Sequence, residues 1–280
     1  MNDEKALSDI KNVIAAGQLD TAEVLLMNRA SSAEDPLVKI QCASILLVIG
    51  RSETSDEVLE ELYDEVYGEA DMFPVAQAMR GLGRGDLALG LLEDSEESDD
   101  VLREKAMSFN MTGRFEEAIE NLEKISAMTA DDSVLFLESL GSLGKHGEAL
   151  KLSEKLSEEF PDNYNVLRSR GGALIAAGEE KEALKYARKL MKANKNSADA
   201  NAVGAYVMYV IGNTKPAGAF SSKALRTDPT HVGAMEILAL SLVDRGEFKK
   251  ASIVAGAMNE KEPGNPAAVR ILRLCGGKFS

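Results

Sequence analysis

Residues Gly81–Gly90 read GLGRGDLALG. Two chemistries and one structural role compete for this stretch. Gly83-x-Gly85-x-x-Ala88 approximates the glycine fingerprint that seats a dinucleotide pyrophosphate on a helix N-terminus, and that motif requires a β-strand directly before it. Arg84-Gly85-Asp86 matches a tripeptide of cell-adhesion ligands and requires an exposed loop. The structural role is a helix end at Gly83 followed by a helix crossing at Ala88. The rest of the chain decides among the three.

A Gly followed five residues later by Ala recurs at Gly17/Ala22, Gly83/Ala88, Gly113/Ala118, Gly144/Ala149, Gly178/Ala183, Gly212/Ala217 and Gly246/Ala251, with Gly50/Ser55 as an eighth pair. The successive steps between these glycines are 33, 33, 30, 31, 34, 34 and 34. With only 23 glycines in 280 residues, eight in phase mark an internal repeat. Each Gly follows an apolar stretch of helical spacing, such as Val203–Ile211 or Ala234–Val243, and precedes a second, such as Glu182–Met191 or Ala251–Met258. Such a Gly supplies the left-handed residue that ends the first helix. The small Ala or Ser lets the second helix cross closely. Pro161, Pro229 and Pro263 follow Gly144, Gly212 and Gly246 at one constant interval and end the second helix, while Pro216 opens one. No strand pattern precedes Gly83, so the dinucleotide reading fails. Arg84-Gly85-Asp86 is expected in an exposed turn without an adhesive role.

A helix–turn–helix unit of about 34 residues with this punctuation resembles the tetratricopeptide repeat. The resemblance covers nearly the whole chain. It is clearest in VGAMEILALSLVDRGEFKKASIVAGAMNEKEPGN, Val232–Asn265, where Met235, Leu238, Ala239 and Leu242, then Ala251, Ala255, Met258 and Pro263, stand at the family's core positions. It implies an all-α, right-handed α-solenoid of about eight units with a C-terminal capping helix. The tiling is 3–35, 36–68, 69–98, 99–129, 130–163, 164–197, 198–231 and 232–265, as a single solenoid over 1–280, with the cap at 266–277 carrying Val269, Ile271, Leu272 and Leu274. The chain departs from the family in its aromatic positions, mostly Leu, Ala or Met here, and in its short third and fourth units.

Composition agrees with helices. Apolar residues are 45%, aromatics only 5%, and there is no Trp. The net charge of −14 is unevenly spread: residues 1–129 carry 11 − 28 = −17 and residues 130–280 carry 21 − 18 = +3. That acidity predicts that the chain binds no nucleic acid. The N-terminal MNDEKALSDIK lacks the features of a signal peptide, and the longest apolar run, Ala205–Ile211, has seven residues. The expectation is a cytoplasmic protein without membrane insertion, its Cys42 and Cys275 reduced.

No catalytic, cofactor or metal site is expected. His146, His231, Cys42 and Cys275 fit no zinc spacing, and neither a G-x-S-x-G nor an H-E-x-x-H motif occurs. Both histidines are expected at the surface, Cys42 in the core and Cys275 in the tail. Asn110-Met111-Thr112 fits a glycosylation sequon but falls on a helix end. The acidic run EDSEESDD, Glu93–Asp100, is either a solvated loop beside a helix N-terminus or a docking site for a basic segment. Lys181, Lys185, Arg188, Lys189, Lys192 and Lys195, preceded by Glu179, Glu180 and Glu182, form a solvated helix face.

The resemblance implies a non-catalytic scaffold or adaptor that holds a peptide or protein partner in a groove lined by first helices. The matching groove residues are Glu138, Asn165, Arg168, Tyr206, Tyr209, Glu236 and Leu240. Tyr206 and Tyr209 share a helix face and serve either as partner anchors or as packing between units. Arg168 could take a carboxylate in two-pronged fashion. The family's Lys/Asn clamp for chaperone tails has no match, since Ser169, Val203 and Ile237 stand where its donors would be. The alternatives are a structural subunit of a stable multiprotein complex, joined end-on or by a flat face, and a co-chaperone or assembly factor. Self-association through exposed helical ends is compatible with either.

Overall fold

The computed structural model describes residues 3–68 and 72–276, all their regular elements being helices. Its contacts divide into two compact units, Met1–Met128 and Thr129–Ser280. The expected start of the third repeat at 69 and the last residue of the expected cap, 277, lie outside the described residues.

Unit one holds α1 (Asp3–Ala15), α2 (Leu19–Ser32), α3 (Pro36–Val48), α4 (Ser52–Val66), α5 (Phe73–Gly81), α6 (Gly85–Leu91), α7 (Asp99–Met111) and α8 (Phe115–Lys124). Unit two holds α9 (Ala130–Ser142), α10 (His146–Glu159), α11 (Tyr164–Ala176), α12 (Glu180–Ala193), α13 (Ala198–Val210), α14 (Thr214–Thr227), α15 (Val232–Asp244), α16 (Phe248–Lys261) and α17 (Pro266–Gly276). Within each unit, helices pair as antiparallel hairpins. From α3 to α7, and from α9 to α17, each first helix also packs on the first helix of the next pair.

All eight phased glycines have φ between +70° and +89°. Each turn closes by the same two bonds. In the turn after α13, Gly212 N–H donates to the Tyr209 carbonyl at 2.9 Å and Asn213 N–H to the Met208 carbonyl at 2.8 Å. This is the left-handed helix stop in which two orphan carbonyls are satisfied by the next two amides. Asn213 then accepts from Ala217 N–H at 3.0 Å, so one residue closes the first helix and opens the second. The same pattern holds at Gln18, Arg51, Arg84, Arg114, Lys145, Glu179 and Glu247.

The small residue five places after each Gly is buried, at 0–4% exposure. Ser55 fits this position because its hydroxyl donates to the Ala43 carbonyl at 2.9 Å. In unit two the seam continues through Ala187, Ala224 and Ala255, all fully buried. Alanines one or two helical turns apart bring helix axes close and leave no polar side-chain atom to satisfy.

The short α5 and α6, nine and seven residues, are held partly by charge. Glu104 on α7 is fully buried and paired with Arg80 on α5, which also reaches it through a second bond of 3.3 Å. The Arg84-Gly85-Asp86 stretch is not an exposed turn. The Arg84 side chain is 18% exposed and pairs with Asp56 at 3.1 Å, Glu60 at 3.3 Å and Asp86 at 3.0 Å. Gly85 is buried where α6 meets α7, and a Cβ there would stand 3.1 Å from the Ser108 carbonyl oxygen.

Two substitutions separate the turn from the seam. A Cβ at Gly212 would meet nothing within 4 Å, so Gly212→Ala carries only the left-handed backbone penalty, about 1–2 kcal/mol. Ala217→Leu forces a larger side chain into a fully buried site and should cost about 1–3 kcal/mol. Denaturant unfolding of each variant measures both. A neutral Ala217→Leu would show that the seam is not close-packed.

Candidate functional site

The first helices of unit two begin at side-chain caps. Thr129, Asn163, Ser197 and His231 each accept a backbone N–H from the first turn of α9, α11, α13 and α15, and Asn265 does so for α17. These five positions recur at one constant interval, the same one that separates the turn glycines of this unit. The register of the first helices is therefore repeated without slippage.

His231 is not a surface residue. It is buried at 9% exposure, its Nδ1 accepts from Ala234 N–H at 3.1 Å, and its Nε2 lies 3.0 Å from an Asp199 carboxylate oxygen. An Nδ1 that accepts leaves the proton on Nε2, which donates to Asp199. Tyr164 packs edge-on against the imidazole at 4.6 Å between ring centres. Its hydroxyl is buried without a hydrogen-bond partner beneath Gly233, and burial pushes it up to about 12. Cys275 is buried on α17 and is not a loose tail residue.

One repeat position carries Glu138, Gly172, Tyr206 and Leu240 on successive first helices. Gly172 lets the Tyr206 side chain fold close over α11, since a Cβ there would approach the Tyr206 hydroxyl to 3.0 Å. Beside it lies a cleft of about 450 Å³ lined from α9, α10, α11 and α13. Glu138, Asn165, Arg168 and Tyr206 line it, with Ser169 and His146. Its floor is small: Gly141, Ala149, Gly172, Ala173 and Ala176. His146, expected at the surface, is half-buried in the cleft wall, with a buried Nδ1 that has no hydrogen-bond partner.

Arg168 spans three helices. Its guanidinium lies 4.7 Å from the centre of the Tyr206 ring on α13 and 3.4 Å from a Glu236 carboxylate oxygen on α15. The edge that could grip a partner carboxylate is therefore already committed in part. Burial raises the Tyr206 hydroxyl, opposed by Arg168. Glu138 is exposed at the cleft mouth, and among the described residues no cation is paired with it. Partial desolvation raises its carboxyl, with Arg168 acting the other way.

Tyr209 and Leu240 do not line this cleft. Both pack against the cluster of Met191, Ala205, Met208, Ala217 and Ile237, as Tyr206 also does with part of its ring. Tyr209 is raised by burial and then by Asp244. Val203 and Ile237 are buried in the core, and Ser169 reaches the cleft.

The acidic run of unit one is partly used within its own fold. Ser98 caps α7, Glu97 pairs with Lys124 at 2.7 Å, and Asp100 pairs with Arg103 at 2.9 Å. Asp99 accepts from Ser126 N–H at 3.0 Å, the Ser126 hydroxyl at 2.7 Å and Ala127 N–H at 3.1 Å, tying the start of α7 to the residues after α8. These bonds hold its carboxyl below the usual aspartate range. Among the described residues, no three His, Cys, Asp or Glu side chains gather as a metal-holding group. No helix there is long and apolar enough to cross a membrane.

No family model matches the sequence, and no curated protein does so significantly. Solved structures do match. TTC0263, a tetratricopeptide repeat protein of Thermus thermophilus, is 18% identical with a TM-score of 0.46, over 63% of this chain and 100% of that one. MamA from Desulfovibrio magneticus RS-1, residues 41 to its end, is 17% identical with a TM-score of 0.36, over 61% and 98%. Human IFIT1, a dimer with m7Gppp-AAAA, is 17% identical with a TM-score of 0.46, over 91% and 68%. The likeness is one of fold: the chain is a tetratricopeptide-like helical repeat protein. The expectation that it binds no nucleic acid does not stand, because IFIT1, a helical repeat of this kind, holds the RNAs m7Gppp-AAAA and PPP-AAAA. Net charge summed over a chain is a weak ground for that exclusion, since binding responds to the local field.

Two measurements test the local chemistry. Tyr164→Phe removes a buried hydroxyl that has no partner and should stabilise the chain by about 1 kcal/mol in denaturant unfolding. A loss of stability would mean that the hydroxyl has a partner in solution. Asp99→Asn should lower the thermal midpoint at pH 7. The folded carboxyl titrates below the unfolded one, so its contribution is complete above the ordinary aspartate range. It is lost as pH falls through the folded value, and the difference between wild type and Asp99→Asn should close in acid.

Proposed function

We propose that the chain is a non-catalytic scaffold or adaptor whose second unit holds an extended segment of a protein partner in the cleft between α9, α11 and α13. The single observation that carries this reading is the cleft beside Gly172. A repeat position that elsewhere bears Glu138, Tyr206 and Leu240 is reduced to glycine, the Tyr206 side chain folds over it, and polar side chains converge around small apolar residues. Pockets of this size with a few convergent polar groups are the usual form of a binding site.

Glu138, Asn165, Arg168 and Tyr206 are the contact residues of this proposal, with Glu236 positioning Arg168 from the next helix. Tyr209 and Leu240 support the wall from behind. Tyr206 suits an anchor because its ring is already fixed by the core and by Arg168, so little freedom is lost on binding. A reducing, cytoplasmic setting fits the two free, buried thiols; burial pushes Cys42 up to about 11 and also raises Cys275.

Gly141→Phe is the direct test. A Cβ at Gly141 meets nothing within 4 Å, so the ring can fill the cleft without a clash at its base. Affinity capture from native lysate should recover partners with the wild type and lose them both with Gly141→Phe and with Arg168→Ala/Tyr206→Ala. Unchanged capture by both variants, each with a wild-type circular dichroism spectrum, would move the interaction off this cleft.

A further inference from the structure

We infer that the cleft of unit two selects a partner segment bearing a Lys or Arg side chain, which pairs with Glu138, beside an apolar side chain that lies on the glycine and alanine floor. This rests on the peptide-binding reading above and specifies its chemistry.

The charge balance of the cleft carries the inference. Arg168 is compensated inside the protein, by Glu236 at 3.4 Å and by the Tyr206 ring at 4.7 Å. Glu138 lines the same cleft and has no cation paired with it among the described residues. The site as built thus has one carboxylate in excess. Its surroundings already disfavour the charged form, as the raised Glu138 carboxyl indicates. An incoming cation restores what that partial desolvation removed.

An incoming carboxylate or phosphate fares worse. It would compete with Glu236 for Arg168 and lie in the same cleft as Glu138, so it gains one attraction and meets two repulsions. The cleft is lined on its apolar side by Val134, Leu137, Gly141, Ala149, Ala173 and Ala176, none of which brings a polar side chain. An aliphatic side chain entering there buries apolar surface without stranding a polar group.

The full-length chain can be screened with a phage-displayed library of random dodecapeptides, and the enriched peptides titrated by fluorescence anisotropy. Enriched sequences should carry Lys or Arg beside an apolar residue. Glu138→Gln should weaken them by about threefold to fivefold, the scale of an ion pair at an exposed carboxylate. Glu138→Lys should enrich acidic sequences instead, and Gly141→Phe should abolish binding. Glu138 is exposed at the cleft mouth, so its variants leave the core intact, and circular dichroism checks this.

Three kinds of result overturn the inference and are distinguishable. Peptides that are lost with Gly141→Phe but lack a basic residue, or keep their affinity with Glu138→Gln, refute the cation preference and leave the cleft as a peptide site. Peptides that bind Gly141→Phe undiminished, or no enrichment at all, refute the peptide site itself. So does single-stranded oligoadenylate RNA binding to wild type and not to Gly141→Phe in a parallel titration.

Discussion

One residue per hairpin belongs to two helices at once. Its N–H closes the outgoing helix and its C=O accepts the first bond of the incoming one, as Asn213 does between α13 and α14. This double use requires the preceding residue to be left-handed, which only glycine adopts at no steric cost. It also sets the position of the next buried contact, four residues after the shared one, where Ala217 and its counterparts meet the first helix. Turn and seam are thus coupled: the left-handed glycine aims the second helix, and the small residue lets it close. Both units are built from this one joint, repeated.

Strict repetition has a consequence for chemistry. In unit two the caps Thr129, Asn163, Ser197 and His231 keep the first helices in one register, so a given repeat position lies on one line across α9, α11, α13 and α15. A change at one step of such a line becomes a feature of the surface. Gly172 is that change. It takes the place of a Glu, a Tyr or a Leu, and the Tyr206 side chain of the next step folds over it beside the cleft. No loop or insertion is needed to make the site.

The polar groups of the cleft are connected along the same line. Arg168 reaches over Tyr206 to Glu236, two repeats away in sequence, and so fixes an aromatic wall and uses up its own charge. His231, buried between Asp199 and the amide of Ala234, serves the same framework at the foot of α15. In unit one, ion pairs perform a related task where the helices are shortest. Glu104, fully buried, depends on Arg80, and removing Arg80 would leave Glu104 with a charge it cannot hydrate.

The sequence by itself determined the helical class, the hairpin turns and the buried small residues. Each depends on local chemistry at fixed spacing, and Gly17, Gly113 or Gly246 can be recognised without knowing what surrounds them. The caps Thr129, Asn163, Ser197 and His231 emerged only with the structure, although they share one constant interval, and an imidazole is an unusual acceptor for a helix start. Four groove positions that the repeat pattern selects, Glu138, Asn165, Arg168 and Tyr206, meet at one cleft, because helical register is a local property. Only the tertiary structure decided the rest. It set Arg84, half-buried, among acidic side chains of α4 and α6, turned Tyr209 and Leu240 toward the core, and committed Arg168 to Glu236. These outcomes depend on which side chains of separate helices come within bonding distance, and no spacing along one chain encodes that distance.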